Sequence, residues 1–259
     1  MIYIKSAEQI NEIRKLGHLT NQILVKAFQL VKEGVTPLYI NNEIERMILE
    51  SGSTPWFKEI DNYPYGSCIA VNADWIHGMP NSTPLEKNDL ISIDIGLKRG
   101  GFYTDHCWTS YVGFDHLDHL PLQFDTDDKK RDKLLNTGIK SLMLSIEDVK
   151  PGNRIGKISN TMQKVVEEAG FEVVEDYAGH GVGLAPHEDP IIPCFGTPSQ
   201  GALIKEGMVL AVESMYSEGS PKIVIKEDGW TATTQDGSLT GMFEHTVAVT
   251  EKGPEILTI

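Results

Sequence analysis

Asp94 and Asp105 stand on neighbouring apolar runs of this 259-residue chain, and paired carboxylates so placed point to metal or proton chemistry. Leu90–Leu97 alternates with period two: Ile91, Ile93, Ile95 and Leu97 share one face, Ser92, Asp94 and Gly96 the other. With Lys98-Arg99-Gly100-Gly101 as a four-residue turn, Leu97 lies opposite Phe102 and Asp94 directly opposite Asp105. Like charges in that relation destabilise a sheet. No Lys or Arg shares their face, so a shared proton or a cation must offset the repulsion. Paired hard oxygens suit a divalent ion better. A solvated sheet edge is the competing reading, disfavoured because Asp is depleted in strands.

Two glutamates interrupt apolar strands further on. Glu213 follows Met208-Val209-Leu210-Ala211-Val212, and Glu244 follows Met242-Phe243. Glu is rarely buried without a partner. His180 lies in Gly179-His180-Gly181-Val182-Gly183, where the glycines permit a sharp turn and close approach. The spacing is not that of a phosphate-binding loop, and no Lys-Ser/Thr pair follows. His187, in Pro186-His187-Glu188-Asp189-Pro190, is not part of an H-E-x-x-H helix, because Pro190 would break it. His77-Gly78-Met79-Pro80 reads as a histidine held on a turn at a strand end. The Asp115-His116-Leu117-Asp118-His119 cluster also looks metal-like. It falls in the polar stretch Asp115–Asp132, read here as a surface loop. Four acids left unpaired in a core would cost many kcal/mol. Two divalent ions about 3.5–4 Å apart offset that cost and suit hydrolysis.

The elements that position these residues come in two sets. Ser6-Ala7-Glu8-Gln9 is a capping box before a helix that stops at Gly34, and Thr36-Pro37 starts a second helix running to about Glu50. Helices over about Lys129–Val149 and Ile155–Ala169 repeat the arrangement. At an offset of 118, Val31, Lys32, Gly34, Ile40, Asn42, Glu50 and Gly52 fall on Val149, Lys150, Gly152, Ile158, Asn160, Glu168 and Gly170. At an offset of 119, Asp94 aligns with Glu213. An internal duplication is the sharper reading, with chance likeness of two helix–Gly–helix units as the alternative. Strands are expected at Cys68–Asn72, Leu90–Leu97, Phe102–Val112, Val173–Val174, Met208–Tyr216, Lys222–Lys226, Trp230–Thr234 and Met242–Thr250. Grouped helices and grouped strands argue α+β. The chain reads as one catalytic domain, 1–259, with halves of about 1–120 and 121–259.

Composition sets the outer limits. The formal charge of −14 opposes binding to nucleic acid. No apolar window is long enough to span a membrane, and the N-terminal residues do not resemble a signal peptide. Cys68, Cys107 and Cys194 suggest neither a disulfide framework nor a zinc knuckle. The cytoplasm is the expected compartment.

The motifs together resemble the type I methionine aminopeptidases, within the pita-bread metallopeptidases that include prolidase and creatinase. The matching pieces are His77-Gly78-Met79-Pro80, the Asp94/Asp105 hairpin, Gly179-His180-Gly181-Val182-Gly183, His187-Glu188, Glu213-Ser214-Met215, Asp228-Gly229-Trp230 and Phe243-Glu244-His245-Thr246. They run in family order across nearly the whole chain. The resemblance implies a pita-bread α+β fold: pseudo-twofold halves forming a curved antiparallel sheet, covered by helices on its outer face. It implies two divalent ions (Co, Mn, Fe or Zn) on Asp94, Asp105, His180, Glu213 and Glu244. A metal hydroxide would attack the first peptide carbonyl, with Glu213 as general base, His187 on the oxyanion and His77 near the scissile nitrogen. Tyr63, Cys68, Trp230, His77 and His187 would contact the substrate, whose free amine sits near Asp94. The implied substrate is the N-terminal methionine of nascent polypeptides near the ribosome, and the enzyme is expected to be a monomer.

The chain departs from the family pattern at Ser214, where Pro is usual. It departs again at Leu184-Ala185-Pro186, where Arg-Gly-Phe or similar is usual, and at Phe57 and Ile60, where Cys and Tyr are common. The alternatives are therefore a related aminopeptidase with a different P1 or X-Pro preference, or a binding paralogue without catalysis.

Overall fold

The computed structural model describes residues 1–60, 62–115 and 118–259. The elements run α1 (Ala7–Gln29), α2 (Pro37–Glu50), β1 (Thr54–Pro55), a 3-10 turn (Trp56–Glu59), β2 (Ser67–Val71), β3 (Asp74–Ile76), β4 (Leu90–Arg99) and β5 (Phe102–Tyr111). They continue α3 (Lys129–Glu147), α4 (Ile155–Glu168), β6 (Glu172–Val173), β7 (Ala178–Gly181), β8 (Glu188–Pro193), β9 (Val209–Ser217), β10 (Ile223–Ile225), β11 (Ala232–Thr234), β12 (Thr240–Thr250) and β13 (Gly253–Ile256).

Local chemistry sets the helix starts. Ser6 Oγ accepts from the Gln9 amide at 3.3 Å while Gln9 Oε1 accepts from the Ser6 amide at 2.8 Å, which is the expected capping box. Thr36 caps α2, with Pro37 in the first turn. Asp128 caps α3 by accepting from the Arg131 amide. Helices α2, α3 and α4 end within two residues of the sequence expectation, the usual range for frayed termini, whereas α1 stops at Gln29 with Leu30 as its C-cap, short of the expected Gly34.

Every strand-to-strand ladder among the described residues is antiparallel. One sheet has the order β1-β4-β2 with β5 on the other edge of β4; the larger has the order β13-β12-β9-β7-β8 with β6 beside β9; a small one is β10-β11-β3. Helix α1 packs on β4 and β5, and α3 on β9 and β12. Their buried faces form the main core, with Leu16, Leu24, Phe28, Leu135 and Leu142 set against Ile91, Ile93, Trp108 and Phe243. Between the two large sheets, β5 and β12 are joined through side chains. Thr109 Oγ1 and Thr246 Oγ1 each reach the other strand's backbone.

The β4–β5 register differs from the sequence expectation. Arg99 pairs with Phe102, so Gly100 and Gly101 alone form the turn, at φ of +61° and +83°. Two consecutive left-handed residues give the hairpin turn that matches strand twist, and glycine takes it without steric cost. The longer turn expected from Lys98 onward does not form. As a result Asp94 faces Cys107, and Asp105 faces Gly96. The two aspartates are diagonal rather than directly opposed.

Strands β1, β7, β8 and β13 went unforeseen because they are short and carry Gly or Pro, whereas β3 is the strand at whose end His77 was expected. In the acidic run after β5, His116 and Leu117 lie outside the described residues. The reading of that five-residue cluster as a solvated run therefore falls partly outside them too.

Candidate metal centre and substrate cavity

Four strands from the two large sheets supply the carboxylates. Asp94 lies mid-strand on β4, Asp105 on β5, Glu213 on β9 and Glu244 on β12. Glu213 and Glu244 are register partners, so the directly opposed acid pair is this one. All four are buried, as is His180 on β7. Carboxylate oxygens of Asp94, Asp105 and Glu244 lie within 4.8 Å of one another. His180 Nε2 stands 3.5 Å from Glu213 Oε1 and 3.8 Å from Asp105 Oδ2, which brings the fifth residue to the same place. Its other ring nitrogen, Nδ1, lies 2.9 Å from the Gly181 carbonyl, a contact that orients the ring.

The electrostatics of this cluster call for positive charge. Burial pushes Asp94 up to about 7, against a side-chain hydrogen bond shared with Asp105 that lowers it. Burial first, then repulsion from neighbouring carboxylates, pushes Asp105, Glu213 and Glu244 well above the usual carboxylate range. Burial, helped by His187, lowers His180 to about 3, so the imidazole is neutral. A neutral imidazole is a ligand and not a counter-ion. Asp94 Oδ1, Asp105 Oδ1 and Glu244 Oε1 are buried with no hydrogen-bond partner. Buried acceptors are normally satisfied. Three orphaned hard oxygens beside an uncharged imidazole fit divalent cations.

The cluster forms the floor of a cavity of about 350 Å3. Trp56, Phe57, Ile60, Tyr63, Cys68 and Trp230 line its apolar wall, while His77, Tyr177, His187 and Ile191 also face it. Tyr63 is fixed by its hydroxyl, which donates to the Ser67 carbonyl at 2.9 Å. Its ring meets Trp230 edge-on at 5.1 Å. Trp230 sits on a turn built by Asp228, whose carboxylate accepts from the Trp230 and Thr231 amides, each at 2.8 Å. Cys68 is the β2 register partner of Asp94, which explains its place beside the carboxylate cluster.

His77 follows β3 at φ +56°, in the left-handed region uncommon for a residue with a side chain. Its ring meets Tyr177 edge-on at 5.4 Å, and burial lowers it to about 4. His187 lies 4.5 Å from His180, ring centre to ring centre, and is also lowered by burial.

The ten residues expected to bind metal or substrate or to act in catalysis all face or form this cavity, whereas Asp115, Asp118, His119 and Pro186 do not line it. Sequence reasoning missed Trp56, Tyr177 and Ile191. Trp56 carried a faint signal, an aromatic pair with Phe57 just after Thr54-Pro55; the other two carried none.

Comparison with known proteins places this site in a family. Residues 11–251 match metallopeptidase family M24. A methionine aminopeptidase of Clostridium perfringens is 38% identical over all of this chain and 99% of its own length. The crystal structure of a methionine aminopeptidase from Thermotoga maritima superposes with a TM-score of 0.92 at 37% identity, covering 100% of this chain and 99% of the other. A second, from Rickettsia prowazekii, gives 0.92 at 33% identity over the full length of both chains. A prolidase from Pyrococcus furiosus, 22% identical with a TM-score of 0.77 over 99% of this chain and 65% of its own, shares the fold. The fold is the α+β pita-bread fold, and the site is that of a metallopeptidase. The chain belongs to metallopeptidase family M24, in its type I methionine aminopeptidase branch.

Proposed function

We propose that this chain removes the N-terminal methionine from polypeptides, using two divalent ions held by Asp94, Asp105, His180, Glu213 and Glu244. The observation that carries this reading is the set of three buried, unpartnered carboxylate oxygens at the floor of an aromatic-walled cavity. Cobalt, manganese, iron and zinc all accept mixed carboxylate and imidazole donors. When bound, such ions supply Lewis acidity and lower the pKa of water toward neutrality.

The chain's own groups do the rest. Glu213 takes the proton of the attacking water and passes it to the leaving amine. His187, neutral because it is partly desolvated, has one N–H to donate as the peptide carbonyl oxygen becomes anionic. His77 holds the scissile amide nitrogen. Asp94 receives the free α-amine, which limits the enzyme to N-termini. Tyr63, Cys68 and Trp230 enclose the first side chain.

The same reading has the chain act as a single catalytic domain of two pseudo-symmetric halves, as a monomer in the cytoplasm, on nascent N-termini near the ribosome. Its three cysteines are free and buried, as suits a reducing compartment. No helix among the described residues is long and apolar enough to cross a membrane.

A second reading, an altered P1 or X-Pro preference, is favoured by Phe57 and Ile60, both of which line the cavity. Methionine release from Met-Ala-Ser, assayed with each of the four ions beside a panel of X-Pro peptides, separates the two. Failure to release methionine with any ion would overturn the first reading.

A further inference from the structure

Lys5 is the only lysine or arginine buried among the described residues, and its partner is Glu188, one residue past His187. The lysine side chain is 1% exposed and that of Glu188 is wholly enclosed. The ammonium donates to Glu188 Oε2. Glu188 Oε1 accepts from the amides of Leu184 at 2.6 Å and Ala185 at 3.0 Å. One carboxylate thus ties the loop before His187 back onto its own end.

The surroundings are fitted to this arrangement. A Cβ on Gly183, at φ +133°, would lie 2.9 Å from Lys5 Cε and 2.9 Å from Ile13 Cδ1, so the glycine makes room for the lysine stem. The Gly183 carbonyl accepts from the Tyr103 amide at 2.9 Å, and the Lys5 amide donates to the Gly207 carbonyl at 2.8 Å.

A buried ion pair is a poor source of stability. Desolvation costs several kcal/mol per ion, and apolar replacements are often neutral or better. What this pair provides is geometry, because its hydrogen bonds fix the loop that ends on His187. We infer that Lys5 and Glu188 are positioning residues, a buried ion pair that holds His187 over the metal cluster. The inference rests on the reading above in which His187 serves the developing oxyanion.

A double-mutant cycle tests it: Lys5→Met, His187→Ala and their combination, as metal-loaded enzyme with metal content measured. Lys5→Met is expected to lower kcat about 10–100-fold, since small misplacements near the chemistry cost that much. KM should stay within about a factor of two, because only a transition-state contact is lost. The combined variant should be no slower than His187→Ala alone, because the lysine acts through the histidine. Metal content should not change. In the metal-free protein the Leu184 and Ala185 amides should exchange faster than in the parent chain.

Where Lys5→Met fails to fold, Lys5→Met with Glu188→Met removes both charges and gives the same readouts. Multiplying losses in the cycle would overturn the inference, as would a folded variant with parental kcat. If His187→Ala alone leaves kcat unchanged, the oxyanion reading falls. Amide exchange then decides the positioning claim by itself: faster exchange supports it, and unchanged exchange overturns it.

Discussion

The hydroxyl of Thr246 on β12 holds both backbone polar groups of Asp105 on β5, accepting from its N–H at 3.0 Å and donating to its carbonyl at 2.7 Å. Thr109 does the same to Met242, at 2.8 Å and 2.7 Å. The two threonines stand in for a ladder where the large sheets meet, and that junction sets how far Asp105 stands from Glu244. Thr246→Val keeps the shape and orphans a buried amide and a buried carbonyl. A loss of about 1–3 kcal/mol in unfolding free energy is expected. Metal affinity should fall about 10–100-fold, as for other residues that orient a ligand. Urea denaturation and competition with a chelator measure the two effects. Parental affinity in the variant would show that the bracket does not place Asp105.

The acid cluster sets an unusual pH dependence for the metal-free protein. Burial raises Asp94 to about 7 from an ordinary 3.8. Between those values the folded chain binds more protons than the unfolded one, so stability falls with rising pH. The contribution is fully present below about 4 and is lost as pH passes 7. Asp105, Glu213 and Glu244, raised for the same reason, extend the loss upward. Divalent ions reverse the sign of the local field, and the loaded protein should not show the decline. Thermal melts from pH 5 to 8, with chelator and with manganese, should diverge as pH rises. Parallel curves would count against ion binding at these carboxylates.

Phe57 is the cavity residue that departs most in bulk from the family pattern, and it packs edge-on to Trp56 at 4.3 Å. Phe57→Ala should widen the pocket. Discrimination between methionine and larger first residues should fall by roughly 1–3 kcal/mol, the scale set by pocket packing. Stability should fall too, by about 3–5 kcal/mol if the buried ring leaves a cavity. Ratios of kcat/KM across peptides that differ only in the first residue give the selectivity. Unchanged ratios would remove Phe57 from the specificity wall.

Much of this site was legible in the sequence because charged residues inside apolar strands are costly and therefore informative. Asp94, Glu213 and Glu244 each interrupt such a run. The helices were legible from their caps, Ser6 and Thr36 among them. The β4–β5 register was not, because Lys98-Arg99-Gly100-Gly101 is compatible with turns of two lengths. Only the left-handed pair Gly100-Gly101 settles it. The Glu213–Glu244 pairing was also hidden, since β10 and β11 intervene and no short turn fixes that register. Strands β7 and β8 carry His180 and border His187, yet their Gly and Pro content masks any alternation. Trp56 reaches the cavity from a 3-10 turn, an element with no period to read.

Trp56 also shows how tightly the floor and the wall of the site are joined. Its indole N–H donates to the Thr104 carbonyl at 3.0 Å, and its ring lies 5.2 Å from that of His187. The indole fits only because residue 96 lacks a side chain: a Cβ there would stand 1.8 Å from Trp56 Nε1. Gly96 is also the register partner of Asp105. Gly96→Ala should therefore displace the indole, breaking its hydrogen bond and crowding His187. Overpacking of this kind costs about 1–3 kcal/mol, with about 1 kcal/mol more for the lost bond. Because the clash disappears with the indole, the double variant with Trp56→Ala should lose less stability than the sum of the two single losses, which makes the two substitutions non-additive. Tryptophan emission and urea titration of the two single variants and the double variant read this out. A Gly96→Ala protein with parental emission, stability and kcat would mean that the strand can accept a side chain there without moving Trp56.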